Sequence, residues 1–134
     1  GRLIISTAKI NDMTVDIVID TGAQSTMGNA ALMQRLRRKD RSIDFIQTNL
    51  KSVTGQEVKA EFTLLKRVSI DKFEITDLPI TFSENYAFEA LDLNKRPAFL
   101  MGMDALQLFD RVVIDFGNRR VSFALPKNKA RYRP

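Results

Sequence analysis

Cysteine and histidine are both missing from this chain of 134 residues. Their absence excludes disulfide staples, thiol nucleophiles, Cys/His zinc sites, Ser-His-Asp triads and histidine pH switches. It leaves the compartment open, because a cysteine-free chain suits oxidising and reducing surroundings alike. No apolar run reaches the roughly 18 residues that a membrane-crossing helix needs. No signal peptide opens the chain, which starts at Gly1 without an initiator Met and so leaves room for a segment upstream. What is present suits a packed core. Hydrophobic residues make up 44% and charged residues 28%, which argues against a disordered chain, a collagen-like repeat or a coiled coil. The length favours a single domain, taken here as residues 1–126, followed by a basic tail at 127–134.

Acid is the scarcer charge, 16 residues against 21 bases, for a formal charge of +5. The excess gathers at Arg35, Arg37, Arg38, Lys39 and Arg41, and again at Arg119, Arg120, Lys127, Lys129, Arg131 and Arg133. Such clusters attract phosphate or anionic surfaces. No GxxxxGK loop, zinc finger or RNP-like aromatic run accompanies them, so they read as a solvated face and a terminal tail, and nucleic acid is not an expected partner.

The dominant hydrophobic period is two. Ile4, Ser6, Ala8 and Ile10 form one side of a first strand, Asn11-Asp12 a turn, and Val15 to Ile19 a returning strand rich in β-branched residues. Asn29 can cap a short helix to Arg38 with Leu32, Met33 and Leu36 on one side. Extended segments are expected at 45–48 and 50–53, with Thr54-Gly55-Gln56 as a hairpin tip. Alternating strands follow at 57–70 and 73–82, with a turn at Asp71-Lys72. Pro79 suggests an edge or a bulge. Residues 83–97 read as a loop with apolar anchors. A strand at 98–101, a short helix capped by Asp104 and running to Phe109, and a hairpin across Gly117-Asn118 complete a mainly β chain with two short helices.

Without cysteine or histidine, the candidate catalysts are carboxylates. Asp20 follows Val-Ile at the end of an apolar strand, where a charge needs hydrogen bonds or a chemical role. Thr21 can brace the turn, Gly22 lets the backbone reverse beside the carboxylate, and small Ala23 leaves space for an incoming chain. An ordinary Asp-Thr-Gly turn is the simpler reading of these residues alone. Asp115 fits a hairpin turn, Asp104 a helix cap or a brace for the Asp20 loop, and Asp16 a solvated hairpin position.

The run Val18-Ile19-Asp20-Thr21-Gly22-Ala23-Gln24-Ser25-Thr26 resembles the active-site loop of retropepsin-like aspartic proteases. Phe99-Leu100-Met101-Gly102-Met103-Asp104-Ala105-Leu106 resembles that family's second signature, and Thr54-Gly55-Gln56 lies where its flap would be. The likeness spans residues 3–125 and implies a closed β-barrel lobe with a flap hairpin and one or two short helices. It implies Asp20 as the catalytic residue, with Thr21, Gly22 and Ala23 forming the active-site loop and meeting the substrate backbone. Thr26, Gly102 and Asp104 would support that loop, and Thr54, Gly55 and Gln56 would form the flap tip. No metal or organic cofactor is implied. The implied activity is aspartic endopeptidase hydrolysis of a protein or peptide by water held between two Asp carboxylates, a dyad that shares one proton. Only one Asp-Thr-Gly is present, so the second comes from an identical subunit or from another lobe of a longer chain. Residues 111–125 are candidate interface strands. Gln24, Ser25 and Met103 stand where charged braces are common in viral members, which puts dimer strength and substrate preference in question. The flap carries less glycine, which predicts a stiffer tip. Tyr86, Phe88 and Phe99 are the aromatic candidates for a groove. A catalytically inactive, peptide-binding or assembly domain of the same fold is the alternative. The resemblance also tilts the compartment toward a bacterial periplasm or cell envelope.

Overall fold

The opening hairpin forms where the alternation places it. In the computed structural model, which describes residues 3–51, 54–83, 86–109, 111–115, 117–118 and 120–124, β1 (Leu3–Ile10) and β2 (Met13–Asp20) pair antiparallel from Leu3–Asp20 to Ile10–Met13. Asn11 and Asp12 take φ values of 49° and 68° in the turn, a region that short polar side chains tolerate better than others. Ala8 and Ile10 turn to the core, while Ile5, Thr7 and Lys9 do not.

After β3 (Met27–Gly28) comes α1 (Ala30–Lys39). The Asn29 side chain accepts from Leu32 N–H, Leu32 and Leu36 are buried, and Arg37, Arg38 and Lys39 occupy the last turn. Cations there complement the negative end of the helix dipole. A single strand, β4 (Ile46–Lys51), replaces the two extended pieces expected over 45–53, of which residues 52 and 53 lie outside the described residues. Next come the long pair β5 (Glu57–Ile70) and β6 (Phe73–Phe82), joined at Asp71-Lys72. At Pro79 β6 carries a partner on one flank only, since β3 meets it at Thr81 and Phe82. A residue without an N–H is tolerated there. The irregularity lies two residues earlier: the Lys66–Asp77 pair is missing from the ladder and Asp77 has φ 55°.

Part of the expected loop at 83–97 is helical, as α2 (Tyr86–Ala90). Then follow β7 (Ala98–Met101), α3 (Met103–Leu106), β8 (Arg111–Asp115) and β9 (Arg120–Ala124). The final helix is thus shorter than expected and starts one residue before Asp104. The β8–β9 hairpin turns at Gly117-Asn118, where Asp115 accepts from Asn118 N and Nδ2. This is the structural role anticipated for Asp115. Phe116, Arg119 and the tail, 127–134, lie outside the described residues.

The strands run β1-β2-β7-β3-β6-β5, and β5 returns to β1 through Lys9–Ser69. The ring closes as a six-stranded barrel, with β4 an added strand on β5. Strands β2 and β7, parallel from Asp16–Ala98 to Ile19–Met101, divide two cores. Ile17, Ile19, Phe99 and Met101 face the main one, and Val18, Ala98 and Leu100 face a smaller one capped by Phe88 and Leu93. Burial on both faces explains why β7 reads as four consecutive apolar residues. Phe99, Leu100 and Met101 each contribute about 1.5–3 kcal/mol by full burial. Among the described residues no helix is long and apolar enough to cross a membrane.

Candidate active site

Asp20 is the last residue of β2, at the point where the strand leaves the boundary between the two cores. It is half-buried, and the residues after it, Thr21 and Gly22, are exposed. Gly22 N donates to Asp20 Oδ1 at 2.9 Å, and Ala23 N donates to the Asp20 carbonyl at 3.2 Å. This turn, in which an aspartate side chain binds the backbone two residues on, fixes the carboxylate through one oxygen. Oδ2 has no hydrogen-bond partner among the described residues.

The loop is anchored from the far end of the chain. Ala23 packs against the small core. The carbonyls of Ala23 and Gln24 accept from Met103 N at 2.8 Å and Asp104 N at 3.0 Å. Those amides open α3, whose N-cap, Gly102, offers no side-chain acceptor. First-turn amides need partners from outside the helix, and here the Asp20 loop supplies them. Gly102 is required by space: a Cβ there would lie 2.6 Å from the Ser25 carbonyl oxygen and 3.0 Å from that of Ala23.

Asp104 corrects one expectation. It is not the cap of α3; it reaches back 78 positions to Thr26, accepting from Thr26 N at 3.1 Å and Thr26 Oγ1 at 2.6 Å. Thr26 is 1% exposed and also accepts from Gly102 N at 3.3 Å. The three residues expected to support the loop therefore meet at one point. Gln24, Ser25 and Met103 place no charged brace beside it, and the backbone hydrogen bonds above join the same two segments.

Two further polar groups escaped the sequence reading. Asp16, expected as a solvated hairpin residue, is 6% exposed and lies 2.8 Å from the Arg96 guanidinium. Asn29 is more than a cap. Its Nδ2 donates to the carbonyls of Leu93 and Arg96, both at 2.7 Å, and its Oδ1 accepts from Ala98 N at 3.2 Å as well as from Leu32 N. One buried amide thus ties α1 to the segment before β7. The signal for this second role is weak in sequence, because its partners lie 64 to 69 positions away.

Thr54, Gly55 and Gln56 are exposed at the tip of the β4–β5 hairpin, far from Asp20 in sequence, and Gly55 takes φ 89°. Ile46, Gln47, Asn49 and Lys51 of β4 and residues 57–59 of β5 are exposed, so the tip half of this hairpin projects from the barrel. The aromatic groove is corrected. Phe88 and Phe99 are 2% and 0% exposed and belong to the two cores, while the Tyr86 side chain lies outside the described residues. Among the described residues no cluster of three or more acidic side chains could hold a metal.

A family model described as aspartyl protease matches residues 6–105. No curated protein sequence matches. Among solved structures, the retropepsin-like aspartic protease from Rickettsia conorii is 24% identical, with a TM-score of 0.59 over 84% of this chain and 76% of that one. The retroviral protease-like domain of Ddi1 from Leishmania major is 17% identical, with a TM-score of 0.56 over 96% and 98%. The EIAV protease, in complex with the inhibitor HBY-793, is 20% identical, with a TM-score of 0.55 over 79% and 86%.

Proposed function

We propose that this chain, which belongs to the aspartyl protease family and has its retropepsin fold, is an endopeptidase whose catalytic carboxylate is Asp20. The observation that carries this reading is a charged residue ending a buried strand, one oxygen fixed by Gly22 N and the other without a partner among the described residues, in a loop anchored by Thr26, Gly102 and Asp104. Asp20 and a second Asp-Thr-Gly carboxylate flank a water. The ionised member takes a proton as that water attacks the scissile carbonyl carbon, and the protonated member hydrogen-bonds the carbonyl oxygen. The leaving amine then receives a proton, and the dyad returns to sharing one. The two titrations belong to the pair.

An identical subunit is the simplest source of the second carboxylate. The exposure of residues 21, 22, 24 and 25 supports a site that another lobe covers. The β8–β9 ribbon supports pairing through the termini, since it forms its own two-stranded sheet and leaves Val113 48% exposed. Thr21 would meet its counterpart at the floor of the site. Gly22 and Ala23 would meet the backbone of an extended peptide from below, and Thr54, Gly55 and Gln56 from above. The domain is taken as 1–126 with the tail, 127–134, outside the chemistry.

Asp20→Asn tests the assignment. It keeps the turn acceptor but removes the ionisable group. Peptide cleavage, measured between about pH 3 and 8 and strongest on the acid side, is expected to fall by at least about 10²–10⁴-fold with folding unchanged. Equal cleavage by both proteins, or none by the parent against a diverse peptide library, leaves the domain as a non-catalytic binder.

A further inference from the structure

The side of β2 that carries Asp20 is already covered up to the position two residues before it. Successive residues of a strand alternate sides, so Asp16, Val18 and Asp20 share one. Asp16 is buried against Arg96, and Val18 is 0% exposed beneath Phe88 and Leu93. Asp20, about 7 Å further along at strand rise, is the first of the three left half-buried.

The cover is made by the segment between β6 and β7. Val18 and Leu100 sit opposite each other on the two parallel strands, and Phe88 and Leu93, 2% and 6% exposed, lie over them. Around this small core the partly buried side chains are Ala23, Ala87 and Leu91. Ala23 is the member that belongs to the Asp20 loop, its N–H bound to the Asp20 carbonyl. The apolar surface that this loop offers beside Asp20 is therefore a single methyl group, and the volume behind it is taken by Phe88 and Leu93.

This cover is anchored as a wall and not hung as a lid. Asn29 Nδ2 holds the carbonyls of Leu93 and Arg96, and Asn29 Oδ1 holds Ala98 N. Asp16 N donates to the Pro97 carbonyl at 3.0 Å. Within the segment, Leu93 N donates to the Phe88 carbonyl at 2.7 Å and Leu91 N to that of Ala87 at 3.1 Å. Swinging it outward would strip buried polar groups of their partners, and a close-packed interior does not yield volume freely. Phe88 and Leu93 thus keep their place when a peptide arrives.

An extended substrate meets this wall beside the bond that is cut. With Asp20 as the catalytic carboxylate, the attacked carbonyl lies about 3–3.5 Å from the water held there, and the Cα of its residue is one bond of about 1.5 Å away. Neighbouring side chains of an extended chain point to opposite sides, so one of the two residues flanking the cut bond turns toward this lobe. We propose that Phe88 and Leu93 fill from within the space that this side chain would enter, so that the enzyme cuts bonds whose flanking residue on this lobe's side is no larger than alanine. The proposal rests on the reading of Asp20 as catalytic. An identical second subunit restricts both flanking residues; a different second lobe restricts one.

The test is cleavage of a randomised decapeptide library, with the cut bonds identified by mass spectrometry. The parent is expected to favour glycine and alanine over leucine and phenylalanine at least tenfold on one side of the cut bond or on both. Phe88→Ala, which vacates the space, is expected to raise cleavage at leucine and phenylalanine relative to alanine at least tenfold. Phe88→Leu removes less volume, keeps the small core filled more nearly as in the parent, and is expected to shift the preference the same way by a smaller factor. A purely structural role for Phe88 would lower cleavage of all peptides alike. A parent that cuts but accepts leucine or phenylalanine as readily as alanine on both sides overturns this proposal and leaves Asp20 standing. So does an unchanged preference in the folded Phe88 variants. A parent that cuts no peptide overturns the reading of Asp20 and this proposal with it.

Discussion

Asp20, Thr26 and Gly102 act at the scale of single residues, each by a different physical constraint. Asp20 contributes an oxygen that its own turn leaves free. Thr26 gives a buried hydroxyl to Asp104, a bond to a charged group of the kind that contributes about 1.5–3 kcal/mol. Gly102 contributes only the absence of a side chain. Because its missing Cβ would strike the Ser25 carbonyl at 2.6 Å, Gly102→Ala must displace backbone, and urea denaturation is expected to show a loss of about 1–3 kcal/mol. An unchanged midpoint would mean that the loop yields freely. Asp20, Gly102 and the loop residues between 21 and 26 were legible in sequence because the two signatures are local strings. Asp104 was legible only as two alternatives, since choosing between a cap and a brace requires knowing what lies 78 residues away. The same blindness hid the Asp16–Arg96 pair.

Strands and turns were the most readable elements, because alternation and turn chemistry are written within a few residues. The α1 cap, the Asp71-Lys72 turn and the β8–β9 hairpin all formed where local rules put them. Helix α2 was missed because Tyr86–Ala90 is too short to show a period. Phe88 and Phe99 stood as groove candidates because composition does not say which face of a strand or helix is covered; the unbroken apolar run of β7 is the signal that places Phe99 in the core. Asn29 joins two elements that the sequence keeps apart. Were it only a helix cap, Asn29→Asp would be neutral, since aspartate caps as well. As a donor to two buried carbonyls it is not replaceable, and Asn29→Asp is expected to lose at least about 2 kcal/mol in chemical denaturation. The β8–β9 turn makes a pH prediction. The Asn118 side chain, then its backbone N–H, holds the Asp115 carboxyl below the usual carboxylate range. Its stabilising contribution is therefore complete above the ordinary carboxylate pKa and fades as pH falls through the lowered one. A carboxyl NMR titration should show Asp115 rising toward the ordinary range in Asn118→Ala, which removes the side-chain donor and keeps the backbone one; an unmoved titration would remove this cause.

Across the whole molecule, a six-stranded barrel brings the two ends of the family signature together, and a single barrel carries a single Asp-Thr-Gly. The closure of the ring was legible only through the resemblance, because one pairing, Lys9–Ser69, joins β1 to β5. No rule of alternation would select it. The central claim is that catalysis needs two copies of Asp20, one from each lobe. Mixing parent protein with Asp20→Asn at fixed total concentration, after full subunit exchange, tests it directly. If two identical lobes share the dyad, activity follows the square of the parent fraction, and an equal mixture retains about a quarter of the starting rate. A decline in simple proportion, with about half remaining, would show that one Asp20 suffices and would contradict the account.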